Sequence, residues 1–327
     1  MATRPILFVF PFILVAAACG GSEPAEQDTG SPTTAEAPVE DIVRTADPAE
    51  RGYSGGDFPR VNELADGVYS YEQLMTLGGE QITAVSMFIV TSDGVLVADG
   101  QGNVEATQGL IDQIANVTEQ PITHVVVGSP HPDHSGGNSA FPSDATFLVH
   151  PTSAAALEQS DNAPSTTEIV EGTLALNMGG REIQVLHLGR AHTAGDLLVH
   201  LPQESILFMS EVFLNRVFPL MRSAYPHEWI EVIEAAQAMD VETYVPGHGF
   251  VDSPAVLSEE LEQFKRAIQN VIDGADAYYE EGASVDDAVG GANLGSLDNW
   301  TLAGSQRETA IRRAYACLLY TSDAADD

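Results

Sequence analysis

Four stretches of this chain share one construction, a short β-rich run that breaks directly into a loop bearing histidine or a carboxylate. "ITHVVVG" leads into "SPHPDH", "IQVLHLG" into "RAH", "SILFMS" into Glu211, and "TYVPG" into His248. Such loops do chemistry together only if the fold gathers the strand ends at one edge. Further β-rich runs, "GVYSYEQL", "ITAVSMFIV" and "GVLVADG", precede the helical pattern "VEATQGLIDQIANV", and "ATFLVH" and "DLLVHLP" read as strands. "PHEWIEVIEAAQAM" reads as a helix opened by Pro226. Strand clusters punctuated by helices predict an α/β class chain, a four-layer αββα sandwich in which two sheets face each other between outer helices. Residues 253–282 and "SQRETAIRRAYA" add a C-terminal helical extension, with Arg312 and Arg313 expected to face solvent or pair with acids.

The loop residues are of the types that hold a catalytic metal. Zinc sites draw imidazole and carboxylate ligands from several loops and keep one position open for water. His131, Asp133 and His134 come from one turn, His192 and His248 from two later loops, and Glu211 from the end of another strand. Ser129 stands two places before His131, where a further ligand would be expected. His124, His150, His187, His200 and His227 match no such pattern and read as surface or structural histidines.

With these motifs in this order, and "LVADG" upstream, residues 60–250 resemble the metallo-β-lactamase superfamily of metal-dependent hydrolases. The family pattern His-x-His-x-Asp-His falls on Ser129, His131, Asp133 and His134, its next metal histidine on His192, its bridging aspartate on Glu211, and its last histidine on His248. The resemblance implies one or two zinc ions, or another divalent metal. One site would use Asp133, His134 and His248. The other would use His131 and His192 but lacks its third imidazole, since the Ser129 hydroxyl is a poor ligand. Glu211 is one methylene longer than the family's aspartate and is expected to compensate in part.

The resemblance also implies that Asp99 orients the ligand turn from behind; a plain turn-forming role is the alternative. Thr193 and Asp196 are candidates to hydrogen-bond His192 or to shape its loop. Asn215 and Arg216, just after Glu211, are candidates to line the pocket and bind a substrate carboxylate, against a capping or surface role. Asp133 and Glu211 are the catalytic candidates, Glu211 as the group that positions water or accepts its proton. No lysine follows Glu211 closely, which counts against β-lactams as substrates.

The termini read as separate from this domain. "PILFVFPFILVAAA" is apolar for 14 residues, short of the roughly 20 that span a bilayer, and with "VAAAC" it resembles a lipoprotein signal peptide over 1–18, leaving Cys19 lipidated. Gly20 after that cysteine implies a lipid-anchored protein of a bacterial cell envelope, at the outer membrane and facing the periplasm. Residues 19–57, rich in Gly, Pro, Ser, Thr and acids, read as a disordered acidic tether. The domain proper is expected over 58–316, its helical tail starting near 253. "CLLYTSDAADD", 317–327, resembles the translation of a sequencing adaptor. Without it Cys19 is the single cysteine, which leaves neither a disulfide framework nor a thiolate metal site.

A net charge of -35, from 48 acidic against 13 basic residues, repels phosphate backbones and excludes nucleic acid as a partner. The membrane is then engaged through the lipid anchor alone. These readings converge on an extracytoplasmic hydrolase of an ester, lactone, thioester or amide bond in a small molecule. The alternative is a degenerate surface lipoprotein that binds metal without catalysis, and a true β-lactamase is the lesser third reading.

Overall fold

The computed structural model describes residues 42–159, 164 and 166–323. Cys19 and the leader lie outside the described residues. The chain runs β1 (Arg60–Ala65), β2 (Val68–Leu77), β3 (Glu80–Thr91), β4 (Gly94–Ala98), α1 (Val104–Val117), β5 (Ile122–Val126), α2 (Pro132–Ser135), β6 (Thr146–Val149), α3 (Pro151–Leu157), β7 (Thr167–Ile169), β8 (Thr173–Met178), β9 (Arg181–Leu186), β10 (Leu198–Leu201), β11 (Ile206–Phe208), α4 (Pro226–Gln237), β12 (Thr243–Val245), α5 (Pro254–Glu280), α6 (Val285–Gly291) and α7 (Ala303–Asp323).

Two sheets form the centre, in the orders β1-β2-β3-β4-β5-β6-β7 and β12-β11-β10-β9-β8. β1 to β4 pair antiparallel, while β4 to β7 pair parallel. In the second sheet only β11 and β12 are parallel. Successive strand side chains point to opposite faces, and β4 obeys this with both faces buried. Leu96 and Ala98 join the core shared with the second sheet, whereas Val95 and Val97 pack with Leu110 and Ile114 of α1. A strand apolar throughout is therefore required there, as "GVLVA" is. Trp229 and Ile233 of α4 and Leu261 and Phe264 of α5 cover the second sheet. The four-layer α/β sandwich and its helical extension are thus present.

Local signals explain the helices. Asn103 caps α1 by accepting from the Ala106 N–H at 2.9 Å, and Pro226 and Pro254 occupy first-turn positions in α4 and α5. The last helix passes through Cys317 to Asp323, so the described part of the expected foreign tail continues α7.

Residues 42–57, expected to belong to the tether, are instead anchored on the domain. Ala46 is fully buried, and Arg51 donates to both carboxylate oxygens of Asp252 at 2.6 and 3.0 Å. Arg44 pairs with Glu259 and Glu260 of α5, and Tyr53 stacks on Phe250 at 5.4 Å. A polar average hides a few anchoring side chains whose partners lie some 200 residues further on.

Candidate metal centre

The ends of β4, β5, β9, β11 and β12 meet at one edge, where ligand-bearing loops of α/β sheets gather. β5 delivers Ser129 and the turn of α2, with His131, Asp133 and His134. The loop after β9 brings His192, a single-turn helix after β11 brings Glu211, and the loop after β12 brings His248. Close backbone approach makes this possible. A Cβ on Gly247 would stand 2.4 Å from the Ser210 carbonyl carbon, and one on Gly128 2.6 Å from the Ser210 Cβ.

Two groups of side chains can each hold a metal ion, Asp133, His134, Glu211 and His248, and His131, His192 and Glu211. In the first, His248 Nε2 lies 3.1 Å from Asp133 Oδ2 and 3.1 Å from His134 Nε2. In the second, His131 Nδ1 lies 2.9 Å from both Glu211 Oε2 and His192 Nε2, and His192 Nε2 lies 3.1 Å from Glu211 Oε1. Glu211 therefore belongs to both. Nitrogen atoms aimed at one another in this way, among buried carboxylates, are a donor set suited to a divalent cation such as zinc. The donors are oriented from behind. His248 Nδ1 lies 2.9 Å from the Thr83 carbonyl and His134 Nδ1 3.0 Å from Asp99 Oδ2, which leaves each Nε2 facing the centre.

The electrostatics follow from burial and close opposite charge. Burial opposes a charge on His248, but hydrogen bonds to Asp133 and Glu211 push it up to about 10. Burial likewise opposes charge on His131 and His134, yet Glu211 raises the first and Asp99 the second. Burial would raise Glu211, but His192 and His131 hold it well below the usual carboxylate range. A cation entering this array replaces protons as the counter-charge, so its affinity must fall as pH falls.

Other candidates from the sequence are placed as follows. Asp99 adopts φ +63° at the end of β4, accepts from the Gly128 N–H at 2.6 Å and from the Ser210 hydroxyl at 2.5 Å, and so ties three strand ends together. Thr193 donates from its N–H and hydroxyl to Asp196 at 2.7 and 2.5 Å, which shapes the loop that carries His192. Asn215 and Arg216 are corrected. Asn215 is buried with its amide on the Phe250 carbonyl and Asp252, and Arg216 pairs with Glu260 at 2.5 Å, so neither reaches the cavity. The chain turns at Arg216, at φ +60°, and sends that side chain toward α5. Arg312 pairs with Asp286 and Glu308, while Arg313 donates to the Ala224 carbonyl.

A cavity of about 440 Å³ opens over the centre, lined by His131, Asp133, His192 and Glu211 on its floor. Its walls include Met75 and Leu77 of β2, Leu220, Arg222, and Gln306 and Thr309 of α7. Sequence reading missed these walls, because no motif marks them. Arg222 did carry a faint signal as a rare cation in an acidic chain. Among the described residues the other arginines and Lys265 pair with carboxylates, or in Arg313 with a carbonyl, whereas exposed Arg222 has no ionic or hydrogen-bonding partner.

Comparison with known proteins identifies the family and the fold. The family model described as the metallo-beta-lactamase superfamily matches residues 81–248. A metallo-beta-lactamase type 2 from Elizabethkingia meningoseptica is 23% identical over 194 residues, covering 58% of this chain and 78% of that protein. The alpha subunit of a 2,4-dinitroanisole O-demethylase from Nocardioides is 26% identical over 134 residues, covering 39% of this chain and 41% of that protein. The solved structure of a metallo-beta-lactamase from Pontibacter korlensis superposes with a TM-score of 0.57 at 23% identity, covering 63% of this chain and 98% of that one, a likeness of fold.

Proposed function

The chain belongs to the metallo-β-lactamase superfamily, and from that premise we propose that it is a metal-dependent hydrolase of carbonyl substrates outside the cytoplasm. One observation carries the reading: four imidazoles and two carboxylates from four loops converge into two adjoining donor groups, and His131, Asp133, His192 and Glu211 of these form the floor of a cavity. Zinc is the cation this donor set suits best, and when bound it supplies Lewis acidity and a water whose pKa falls to about 7.

The chain's own residues do the rest. Glu211 and Asp133, both kept ionised by adjacent imidazoles, are the carboxylates placed to accept a hydrogen bond from an attacking water and so orient it. Met75, Leu77 and Leu220 give the cavity an apolar wall. Arg222, with no protein anion to satisfy it, is the group that receives a substrate carboxylate at the mouth, and Gln306 and Thr309 stand on the same rim. The substrate class is then a small ester, lactone, thioester or amide that carries an anionic group. Relatives named as a metallo-β-lactamase and as an O-demethylase subunit illustrate how many bonds this scaffold cleaves, and β-lactams belong among the substrates to test.

In the same reading the lipidated Cys19 anchors the enzyme to the bacterial outer membrane on its periplasmic side, and the acidic surface keeps it free of nucleic acid. The deciding experiment loads the protein with zinc or manganese, counts bound metal, and assays lactone, thioester and β-lactam hydrolysis beside His248→Ala. Metal uptake with activity lost in His248→Ala is expected. A chain that takes up no metal, with any hydrolysis unchanged by His248→Ala, sinks the proposal and leaves a non-catalytic surface lipoprotein.

A further inference from the structure

Ser129 and Glu211 are the two departures from the family pattern, and they touch. The Ser129 hydroxyl, fully buried, donates to Glu211 Oε2, while its own oxygen accepts from the His131 N–H at 3.3 Å. That second bond engages a lone pair and leaves the hydroxyl proton aimed at the carboxylate. Glu211 in turn spreads over both imidazoles of the group, Oε2 at 2.9 Å from His131 Nδ1 and Oε1 at 3.1 Å from His192 Nε2.

An imidazole at position 129 would have to place its ring where the Glu211 carboxylate now lies, because the serine oxygen already stands in contact with it. An aspartate at 211, shorter by one C–C bond, would withdraw from Ser129 and from the two imidazoles. The two side chains therefore fit each other, and neither fits the usual partner of the other.

Resting on the hydrolase reading of this site, we infer that Ser129 and Glu211 are a matched exchange: the Glu211 carboxylate supplies the third donor beside His131 and His192, and Ser129 is the positioning residue that aims it. The altered motif is then a complete second cation site, built from a carboxylate in place of an imidazole. Restoring histidine at 129 alone damages it.

The test strips the purified full chain of metal, reloads it with Co(II), counts bound cobalt by mass spectrometry and reads the visible absorption of the bound ion. The wild type is expected to fill both groups. Ser129→Ala weakens the His131 and His192 site by about 10 to 100-fold and shifts its spectrum, whereas Ser129→Thr, which keeps the hydroxyl, binds as the wild type does. Ser129→His alone loses that cobalt, and Ser129→His with Glu211→Asp regains it. Cobalt retained in full by Ser129→His, or affinity and spectrum unchanged in Ser129→Ala, overturns the exchange. Should Ser129→His fail to fold by circular dichroism, the Ala and Thr variants decide alone. A wild type that takes up no cobalt overturns the hydrolase reading as well, whereas one that is active with a single cobalt, indifferent to Ser129→Ala, overturns only the exchange.

Discussion

Asp99 Oδ2 lies 3.0 Å from His134 Nδ1 while the same carboxylate accepts from the Gly128 N–H and the Ser210 hydroxyl. One buried side chain thus fixes an imidazole and joins the ends of β4, β5 and β11. Asp99 and Ser210 both sit at positive φ, +63° and +48°, backbone strain that the surrounding bonds hold in place. Asp99→Asn is informative because asparagine tolerates that conformation and matches the shape, yet one of its two acceptors becomes a donor. Zinc affinity by chelator competition should fall about 10 to 100-fold, and an unchanged affinity would show that Asp99 only shapes the turn.

The unpartnered Arg222 predicts selectivity for anionic substrates. For a carboxylate-bearing ester or thioester, Arg222→Ala should raise KM about tenfold or more with a smaller change in kcat, since a charged hydrogen bond contributes roughly 1.5–3 kcal/mol. A neutral substrate of the same length should respond little. Equal losses on both would assign Arg222 a structural role.

Glu72 offers a pH test away from the metal centre. It is fully buried on β2, where burial raises its carboxyl to about 7 despite Arg60 at 3.0 Å. With the folded value above the unfolded one, the native state binds the proton more tightly. The stabilisation is complete below pH 4.5 and is lost as pH rises through about 7. That loss is about 3 kcal/mol for a shift of this size. In Glu72→Gln this component vanishes, so the difference in urea stability between variant and wild type should change across that window. A constant difference would refute the shift.

Arg51 tests how far the folded domain extends toward the N-terminus. Its guanidinium and Asp252 are both largely buried, and removing one partner of such a pair costs about 3 kcal/mol. Arg51→Ala should lower the thermal midpoint measurably. A midpoint within error of the wild type would return this segment to the tether.

Much of the fold was legible because its determinants are local. A run such as "GVLVA" has nowhere to go but a strand buried on both faces, and Pro226 and Asn103 mark helix starts by backbone chemistry alone. His131, Asp133, His134, His192, Glu211 and His248 were legible as a set for a related reason, since each follows a strand and strand ends share an edge. Arg216 was misplaced because sequence proximity to Glu211 does not determine direction, and one residue at positive φ turned its side chain onto Glu260. Met75, Leu77, Gln306 and Thr309 gave no usable signal, since they become neighbours only where β2 and α7 meet at the cavity, and the rarity of Arg222 as a cation did not say where it would stand.

The sequence by itself determined the strand and helix alternation, the donor inventory, the acidic surface and the oddity of serine at position 129, all properties of residue type and short-range order. Only the tertiary structure decided what that oddity means. Residues 129 and 211 are separated by 82 positions, so no local pattern records that a hydroxyl and a longer carboxylate occupy each other's space. A packed interior makes such complementary fits real, and from the chain alone they look like two unrelated losses.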